Sequence, residues 1–226
     1  MNDSARWCAI VPAYQEEAHI ASVVQAVRRY CPQVIVVDDG SRDRTAELAA
    51  QAGAEVVRHG VNKGKGAALN TGFAEARARG CEFLLTLDAD GQHDPAHIPE
   101  FVETYRRTGV PVLVGNRMDR AQGMPLHRRL TNLFMSWLLS REMGQWVPDT
   151  QNGYRLYRCD VLADLPTQSQ RFAAESEVLL VLAERGVRIG AVPVKVIYGG
   201  EKSKIHPLRD AIRFFGMLHA HRRNAR

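Results

Sequence analysis

Long apolar runs, paired cysteines and cysteine metal motifs are all missing from this chain of 226 residues. No run of ~18 apolar residues is present, so a membrane-spanning helix is not expected. The four cysteines lie far apart without a CxxC pair, which favours reduced, partly buried thiols over a disulfide or zinc framework. No secretory signal precedes Trp7. We therefore expect a cytoplasmic protein.

Positive charge is concentrated in the last part of the chain. The formal net charge is +5, and residues 199–226 contain seven Lys or Arg against two acids. Such a segment favours anionic partners, either phosphate-bearing ligands or a membrane surface. Because its cations are not interleaved with stacking aromatics at strand spacing, nucleic acid is not an expected partner. Peripheral contact with the inner face of the cell membrane is a further expectation.

Strand-like and helix-like patterns alternate along the first half of the chain. Short apolar runs predict strands, and amphipathic stretches between them predict helices, so we expect strands at 7–11, 34–37, 55–58, 83–87 and 110–114 and helices at 16–30, 45–52, 67–79 and 95–107. The second half is less regular, with helices at 126–139, 175–185 and 208–218 and strands at 153–157 and 189–198. Continuous apolar strands separated by helices predict a mainly parallel sheet covered on both faces.

Polar residues follow four of these predicted strands, at 12–14, 38–40, 88–90 and Arg117. In open α/β sheets, ligands bind beyond the carboxyl ends of the strands. Four strand ends that deliver polar groups to one edge therefore predict a ligand site there.

Asp88, Asp90 and Gln92 form the most specific of these groups. Two carboxylates two residues apart, followed by a carboxamide, offer oxygen ligands to Mg²⁺ or Mn²⁺. Such an ion would neutralise a departing diphosphate. A solvated turn is the alternative for an isolated pair. An EF-hand does not fit, because His93 and Pro99 occupy its Gly and Glu positions.

Two further segments favour a nucleotide ligand. Asp38 and Asp39 end a strand, where a carboxylate can accept hydrogen bonds from a base or ribose. Residues 62–66, which include Lys65, place glycines and cations before a helix, an arrangement that suits phosphate. This segment matches neither the Walker pattern nor the complete dinucleotide fingerprint.

The combination of motifs resembles the family 2 glycosyltransferases nearly end to end, through residues 11–16, 36–41, 62–66 and 88–91. Within that family the chain looks most like the dolichyl-phosphate or polyprenyl-phosphate sugar synthases, through residues 90–95, 149–155 and 198–204. The resemblance implies a GT-A fold, an inverting hexose transfer from a nucleoside-diphosphate sugar of the UDP-glucose or GDP-mannose type, and Mg²⁺ or Mn²⁺. It implies one domain over 1–226, with a nucleotide-sugar half (1–117), an acceptor half (118–206) and a basic terminal helix (207–226).

The same resemblance carries site residues onto this sequence. The nucleoside would be held by Pro12, Tyr14, Glu16, Val37 and Asp39. The rest of the donor would be contacted by Asp88, Ala89 and Lys204, and the metal by Asp90 and Gln92. From the residues themselves we add Lys65, which lies in the segment suited to phosphate, to the donor contacts, and Asp88, the other carboxylate of the pair, to the metal ligands. The acceptor phosphate would be held by Arg117 and Arg128, with Asn132 where many lipid-phosphate members have Ser.

The acceptor decides whether a catalytic base is needed. A sugar hydroxyl requires one, for which Asp149, Glu175 and Glu177 are the candidates. A lipid phosphate is already anionic, so arginines that position it contribute more than a base. We expect the lipid phosphate. One alternative is a transferase that acts on a glycan or another hydroxyl compound. A second is a nucleotidyltransferase, although this sequence lacks the Gly-rich loop that such an enzyme has after its first strand. The third is a non-catalytic module that binds a nucleotide sugar.

Residues 126–146, which span a predicted helix and the segment after it, contain unusually many large apolar residues. They are compatible with an ordinary core helix, a lid over an apolar acceptor, or a shallow interfacial helix. The sequence leaves these three open.

Overall fold

A computed structural model describes residues 6–120, 124–163 and 173–195, together with Ile197 and Gly216. Within these residues the strands are β1 (Trp7–Ala13), β2 (Gln33–Asp38), β3 (Glu55–Arg58), β4 (Phe83–Thr86), β5 (Val112–Asn116), β6 (Arg155–Arg158) and β7 (Ile189–Pro193). The α-helices are α1 (Ile20–Arg28), α2 (Thr45–Gln51), α3 (Lys65–Ala78), α4 (Ile98–Thr108), α5 (Leu126–Met143) and α6 (Ala173–Glu184).

The seven strands form one sheet in the order β3-β2-β1-β4-β6-β5-β7. All neighbouring pairs are parallel except those of β6, which runs antiparallel to both β4 and β5. Thr86 pairs with Arg155, so β6 begins at the edge where β4 ends. The carboxyl ends of the parallel strands and the segment leading into β6 therefore meet at one edge, which we call the rim.

Helices cover both faces of the sheet, because alternate residues of the central strands point to opposite sides. On one side Ile10 and Ile35 join a core with α3, α5 and α6. On the other, Val11 and Val36 join a core with α1, α2 and α4. The predicted α/β architecture of the GT-A type, a mainly parallel sheet between two helical layers, is confirmed.

Several predicted boundaries were wrong. Helix α1 begins at Ile20 rather than at residue 16, because a turn closed on the Glu16 carbonyl comes first. The strand predicted at 189–198 leaves the sheet after Pro193, and the N–H of Lys195 donates to His97 Nε2 instead. The predicted helix at 208–218 lies outside the described residues, apart from Gly216.

The four cysteines are free and buried, as expected. Among the described helices, none combines the length and apolar character needed to cross a membrane.

Candidate functional site at the carboxyl edge of the sheet

Lys65, Asp88 and Glu175 form a charged cluster at the rim. Lys65 is the first residue of α3, and its Nζ lies 2.5 Å from Asp88 Oδ1 and 3.3 Å from Glu175 Oε1. Burial alone would raise the pKa of Asp88, but the charge and hydrogen bond of Lys65, together with His93 and Arg117, outweigh burial and the pKa falls to about 2. Burial would lower the pKa of Lys65, yet the two carboxylates raise it. Asp88 and Lys65 are therefore both charged at neutral pH.

Gly153 lies directly against this cluster. A Cβ at this position would be 2.8 Å from Glu175 Oε1 and 3.1 Å from both Asp88 Oδ1 and Lys65 Nζ. The Gly153 carbonyl accepts a hydrogen bond from Thr86 Oγ1 at 2.7 Å, which ties the segment before β6 to β4. A larger residue at this position would therefore displace at least one of the three charged groups.

Asp90 continues the turn that begins at Asp88. Its Oδ1 accepts the N–H of Gln92 at 3.0 Å, and Gly91 between them has a φ of 74°. Burial and then the neighbouring Asp88 charge raise the pKa of Asp90, so a negative charge there is destabilised. A divalent cation would relieve that repulsion.

The donor set at this turn fits Mg²⁺ or Mn²⁺. Carboxylate and amide oxygens are available from Asp88, Asp90 and Gln92. In the part of the chain that the structure describes, no three or more His, Cys, Asp or Glu side chains are grouped to hold a metal. Mg²⁺ commonly binds through one or two carboxylates and completes its coordination with substrate phosphates and water, so a small protein donor set is compatible with it.

His93 supports the turn and was not predicted as a site residue. Its Nδ1 accepts the backbone N–H of Asp88 at 3.0 Å, and its ring lies 5.2 Å from that of Tyr154. Burial lowers the pKa of His93, which keeps the imidazole neutral and Nδ1 able to accept. In the sequence, His93 belongs to the motif at residues 90–95, but no role was predicted for it.

Asp39 holds residues 62–66, the segment predicted to suit phosphate, in place. Its carboxylate accepts the N–H groups of Lys63 at 2.9 Å and Gly64 at 2.7 Å, and it contacts His59 Nδ1 at 2.7 Å. Gly40, with a φ of 76°, permits the same loop to approach, since a Cβ there would lie 2.6 Å from the carbonyl carbon of Val61. Asp39 thus ties the segment from His59 to Gly64 to the end of β2.

A cavity of 490 Å³ opens beside Asp39, at the ends of β1, β2 and β3. It is lined by Tyr14, Gly40, Ser41, Arg42, Arg58, His59, Gly60, Val61 and Asn62. Arg58 is fixed at its edge, with Nε 3.0 Å from Asp38 Oδ2 and Nη2 donating to the Ser41 carbonyl at 2.7 Å. This cavity has the position expected for a nucleoside pocket in an open α/β sheet.

Of the residues predicted to hold the nucleoside, Tyr14 alone is among those that line the cavity. Val37 is fully buried in the core beneath it and pairs with Pro12 in the sheet, so the Val37 side chain is not presented to a ligand. Glu16 Oε2 lies 3.3 Å from His19 Nδ1 at the start of α1. Ala89 is buried beside the two aspartates.

Arg117 and Asp149 are paired rather than separate. Arg117 Nε donates to Asp149 Oδ2 at 2.7 Å, Nη2 donates to Oδ1 at 2.8 Å, and the Arg117 backbone N–H also donates to Oδ2. The side chain of Asp149 is fully buried. Both of its oxygens are engaged, so Asp149 is positioned to orient Arg117 and is poorly placed to accept a proton. The Arg117 charge also contributes to lowering the pKa of Asp88.

Arg155 binds the backbone beneath the site and was not predicted as a site residue. It is fully buried and donates to the carbonyls of Asn152 at 2.8 Å, Thr150 at 2.9 Å and Glu175 at 2.6 Å. One guanidinium thus fixes the segment that contains Asp149 and the start of α6. Arginine is usually exposed, so the sequence gave no reason to expect that Arg155 is buried.

The remaining predicted residues lie on α5 or beyond the described chain. Arg128 and Asn132 are half-buried on the first turns of α5. Among the described residues, buried Arg128 Nε has no hydrogen-bond partner. Lys204 lies outside the described residues.

Comparisons with known proteins identify the family of the chain. Residues 8–165 match the model of Glycosyl transferase family 2. The chain is 31% identical over 212 residues to the UDP-N-acetylglucosamine–dolichyl-phosphate N-acetylglucosaminyltransferase of Methanococcus voltae, covering 84% of each chain. It is 29% identical over 201 residues to the undecaprenyl-phosphate mannosyltransferase of Micrococcus luteus, covering 83% of this chain and 82% of that one.

The fold is also found in solved structures. Glucosyl-3-phosphoglycerate synthase from Mycobacterium tuberculosis, in complex with Mn²⁺, UDP and glucosyl-3-phosphoglycerate, superposes with a TM-score of 0.72 at 21% identity, covering 96% of this chain and 80% of that one. The resemblance found in the sequence motifs is confirmed, and the chain belongs to glycosyl transferase family 2.

Proposed function

We propose that this protein is a metal-dependent, inverting glycosyltransferase that moves a hexose from a nucleoside-diphosphate sugar to a polyprenyl or dolichyl phosphate. The relatives from Methanococcus voltae and Micrococcus luteus carry names of dolichyl-phosphate and undecaprenyl-phosphate transferases. The donor would be of the UDP-glucose or GDP-mannose type. A polyprenyl phosphate resides in a membrane, so the transfer also requires contact with a membrane surface.

One observation carries the choice of acceptor: two of the candidate bases are held by cations. Asp149 is bonded to Arg117 through both oxygens, and Glu175 Oε1 lies 3.3 Å from Lys65 Nζ. In each case an acceptor hydroxyl would have to displace a cation from a carboxylate oxygen before it could pass its proton to that oxygen. A hydroxyl acceptor needs a base, whereas a phosphate is already a nucleophile. The pairing therefore favours the phosphate.

The donor would lie across the rim, with its nucleoside in the cavity beside Tyr14 and its diphosphate near Asp88–Asp90. Lys65 lies beside Asp88 at the N-terminus of α3, so its ammonium group would contact a phosphate bound near Asp88. The backbone N–H groups at this helix end also favour anions. A bound Mg²⁺ or Mn²⁺, held by Asp90 and Gln92 with Asp88, would neutralise the leaving diphosphate. The mycobacterial synthase of the same fold was solved with Mn²⁺ and UDP.

Arg117 would orient the acceptor phosphate while Asp149 fixes the guanidinium. A guanidinium presents several N–H groups in a plane, which suits the bidentate binding of phosphate oxygens. Arg128 on α5 has a buried Nε without a partner among the described residues, which supports its use as a second phosphate contact. In the transfer, an acceptor phosphate oxygen forms a bond to the anomeric carbon as the bond to the diphosphate breaks, and the configuration inverts.

The test is incubation of the protein with a panel of UDP- and GDP-sugars, Mn²⁺ and polyprenyl phosphate, followed by mass analysis of the lipid fraction. We expect one glycosyl phospholipid, formed from one or a few donors and lost when EDTA replaces Mn²⁺. Asp90→Ala should abolish it, and Glu103→Gln, which removes an exposed carboxylate of α4, should not. The absence of lipid product with every donor would reject the proposal.

A further inference from the structure

Helix α5 exposes a continuous apolar stripe. Leu126, Leu130, Phe134 and Trp137 recur at intervals of three or four residues, so they lie on one face of the helix. Their exposed fractions are 69%, 58%, 53% and 48%. The rings of Phe134 and Trp137 lie 6.1 Å apart and are stacked. We call these four residues the outer face of α5.

The opposite face of the same helix already has its partner. Met135 and Leu139 are buried in the core that also contains residues of α6. The outer face is therefore not needed for the packing of α5 on the sheet. Large apolar side chains that remain grouped and exposed mark an interaction surface.

A small groove extends the outer face at its C-terminal end. It has a volume of 310 Å³ and is lined by Trp137, Ser140, Arg141, Gly144, Gln145 and Trp146. Trp146 is 62% exposed. Arg141 follows Trp137 by four residues and so continues the same face. Two indoles beside a guanidinium suit the boundary between acyl chains and anionic headgroups, where tryptophan and arginine are both favoured.

We propose that the outer face of α5 and this groove dock the protein on an anionic lipid bilayer, with Arg141 directed at headgroup phosphates. The charge of the helix is complementary to such a surface, since α5 contains three arginines against one acid, Glu142. Residues 199–226 add five net positive charges to the chain. This inference rests on the proposed function, because a lipid acceptor requires an approach to the membrane.

The test measures co-sedimentation of the whole protein with phosphatidylcholine vesicles and with vesicles that also contain phosphatidylglycerol. Replacing Leu130 and Trp137 together by Gln should lower partitioning to the mixed vesicles at least about tenfold, because two apolar side chains no longer enter the bilayer. Arg141→Gln should lower it roughly fivefold, as expected for one cation at an anionic surface. Arg107→Gln, which removes an exposed arginine at the end of α4, should leave it unchanged.

Fluorescence and oligomeric state show whether the outer face of α5 binds a lipid bilayer or a second copy of the protein. Lipids with brominated acyl chains should quench the emission of Trp137 and Trp146, and a Trp137→Phe, Trp146→Phe double variant should lose that quenching. Unchanged partitioning of the Leu130→Gln, Trp137→Gln variant would overturn the proposal. So would a lipid-free dimer that this variant dissociates, because the face would then bind a second copy.

A water-soluble, short-chain polyprenyl phosphate distinguishes the two proposals. The Leu130→Gln, Trp137→Gln variant should glycosylate it as fast as the unmodified protein, since no membrane is involved. Transfer without vesicle binding would reject the docking surface alone. Vesicle binding without transfer would reject the proposed function alone.

Discussion

Arg117 and Asp149 form a buried, bidentate ion pair, with Nε 2.7 Å from Oδ2 and Nη2 2.8 Å from Oδ1. The pair joins the end of β5 to the segment that leads into β6. It brings together a residue predicted to bind the acceptor phosphate and one predicted to act as a base. Because both oxygens of Asp149 are engaged, we assign it the positioning of Arg117.

Asp149→Asn should destabilise the fold and weaken acceptor binding. Removing one partner of a buried ion pair leaves an uncompensated charge, which costs about 3 kcal/mol of unfolding free energy. Urea denaturation measures this loss. Asp160→Asn provides the matched control, because its pair with Arg158 is largely exposed and should contribute less than about 1 kcal/mol. The KM for acceptor should rise more than kcat falls; a fall in kcat of about a hundredfold or more with unchanged KM would instead indicate a base.

Glu175→Gln should retain most of the turnover with polyprenyl phosphate. The amide cannot accept a proton from a hydroxyl, but a phosphate acceptor has none to remove, so we expect kcat within about tenfold of the unmodified enzyme. Steady-state kinetics at saturating donor measures it, with Glu177→Gln as the neighbouring control. A fall of about a hundredfold or more, confined to Glu175→Gln, would assign Glu175 as a general base.

The charge of Asp88 should make stability depend on acid pH. The pKa of Asp88 is about 2 in the folded protein, below its ordinary value of 3.8. Its contribution is therefore fully present above the unfolded pKa and is lost as pH falls through the folded one, and it amounts to on the order of 2 kcal/mol. Asp88→Asn should flatten this part of the dependence of unfolding free energy on pH, with Glu103→Gln as the control. Parallel curves for the unmodified protein and Asp88→Asn would contradict the pairing with Lys65.

Gly153→Ala should reduce activity by displacing the charged cluster. The added Cβ would lie within 3.1 Å of Lys65 Nζ, Asp88 Oδ1 and Glu175 Oε1, so at least one of these side chains must move. We expect at least about a tenfold fall in kcat/KM, since small displacements of positioning groups are costly. Gly109→Ala, at a φ of 63° after α4 with open space around it, should cost about 1 kcal/mol in stability and spare activity. Equal kinetics for the two variants would show that the cluster tolerates the shift.

The parallel part of the fold was predictable because each element has its own local pattern. Continuous apolar runs identified β1, β2 and β4, and the polar residues after them identified the rim. The insertion of β6 antiparallel between β4 and β5 was not predictable, because periodicity carries no information on strand direction.

The site was predictable in its residue types and less so in its pairings. Asp88, Asp90 and Lys65 follow from motifs at strand and helix ends. Contacts such as Lys65 with Glu175, which are 110 residues apart, depend on the packing of α6 against the rim. For the same reason Val37 was assigned to the nucleoside by motif position, although its side chain faces the core.

The most direct test of the account compares polyprenyl phosphate with the corresponding polyprenol as acceptor, under identical donor and Mn²⁺ conditions. The two lipids differ only in the phosphate, so they separate a nucleophile that needs no base from one that does. We predict a glycosyl phospholipid from polyprenyl phosphate, in amounts that depend on Arg117, and no glycoside from polyprenol. Transfer to polyprenol at a comparable rate, or transfer to the phosphate that is unaffected by Arg117→Gln, would contradict it.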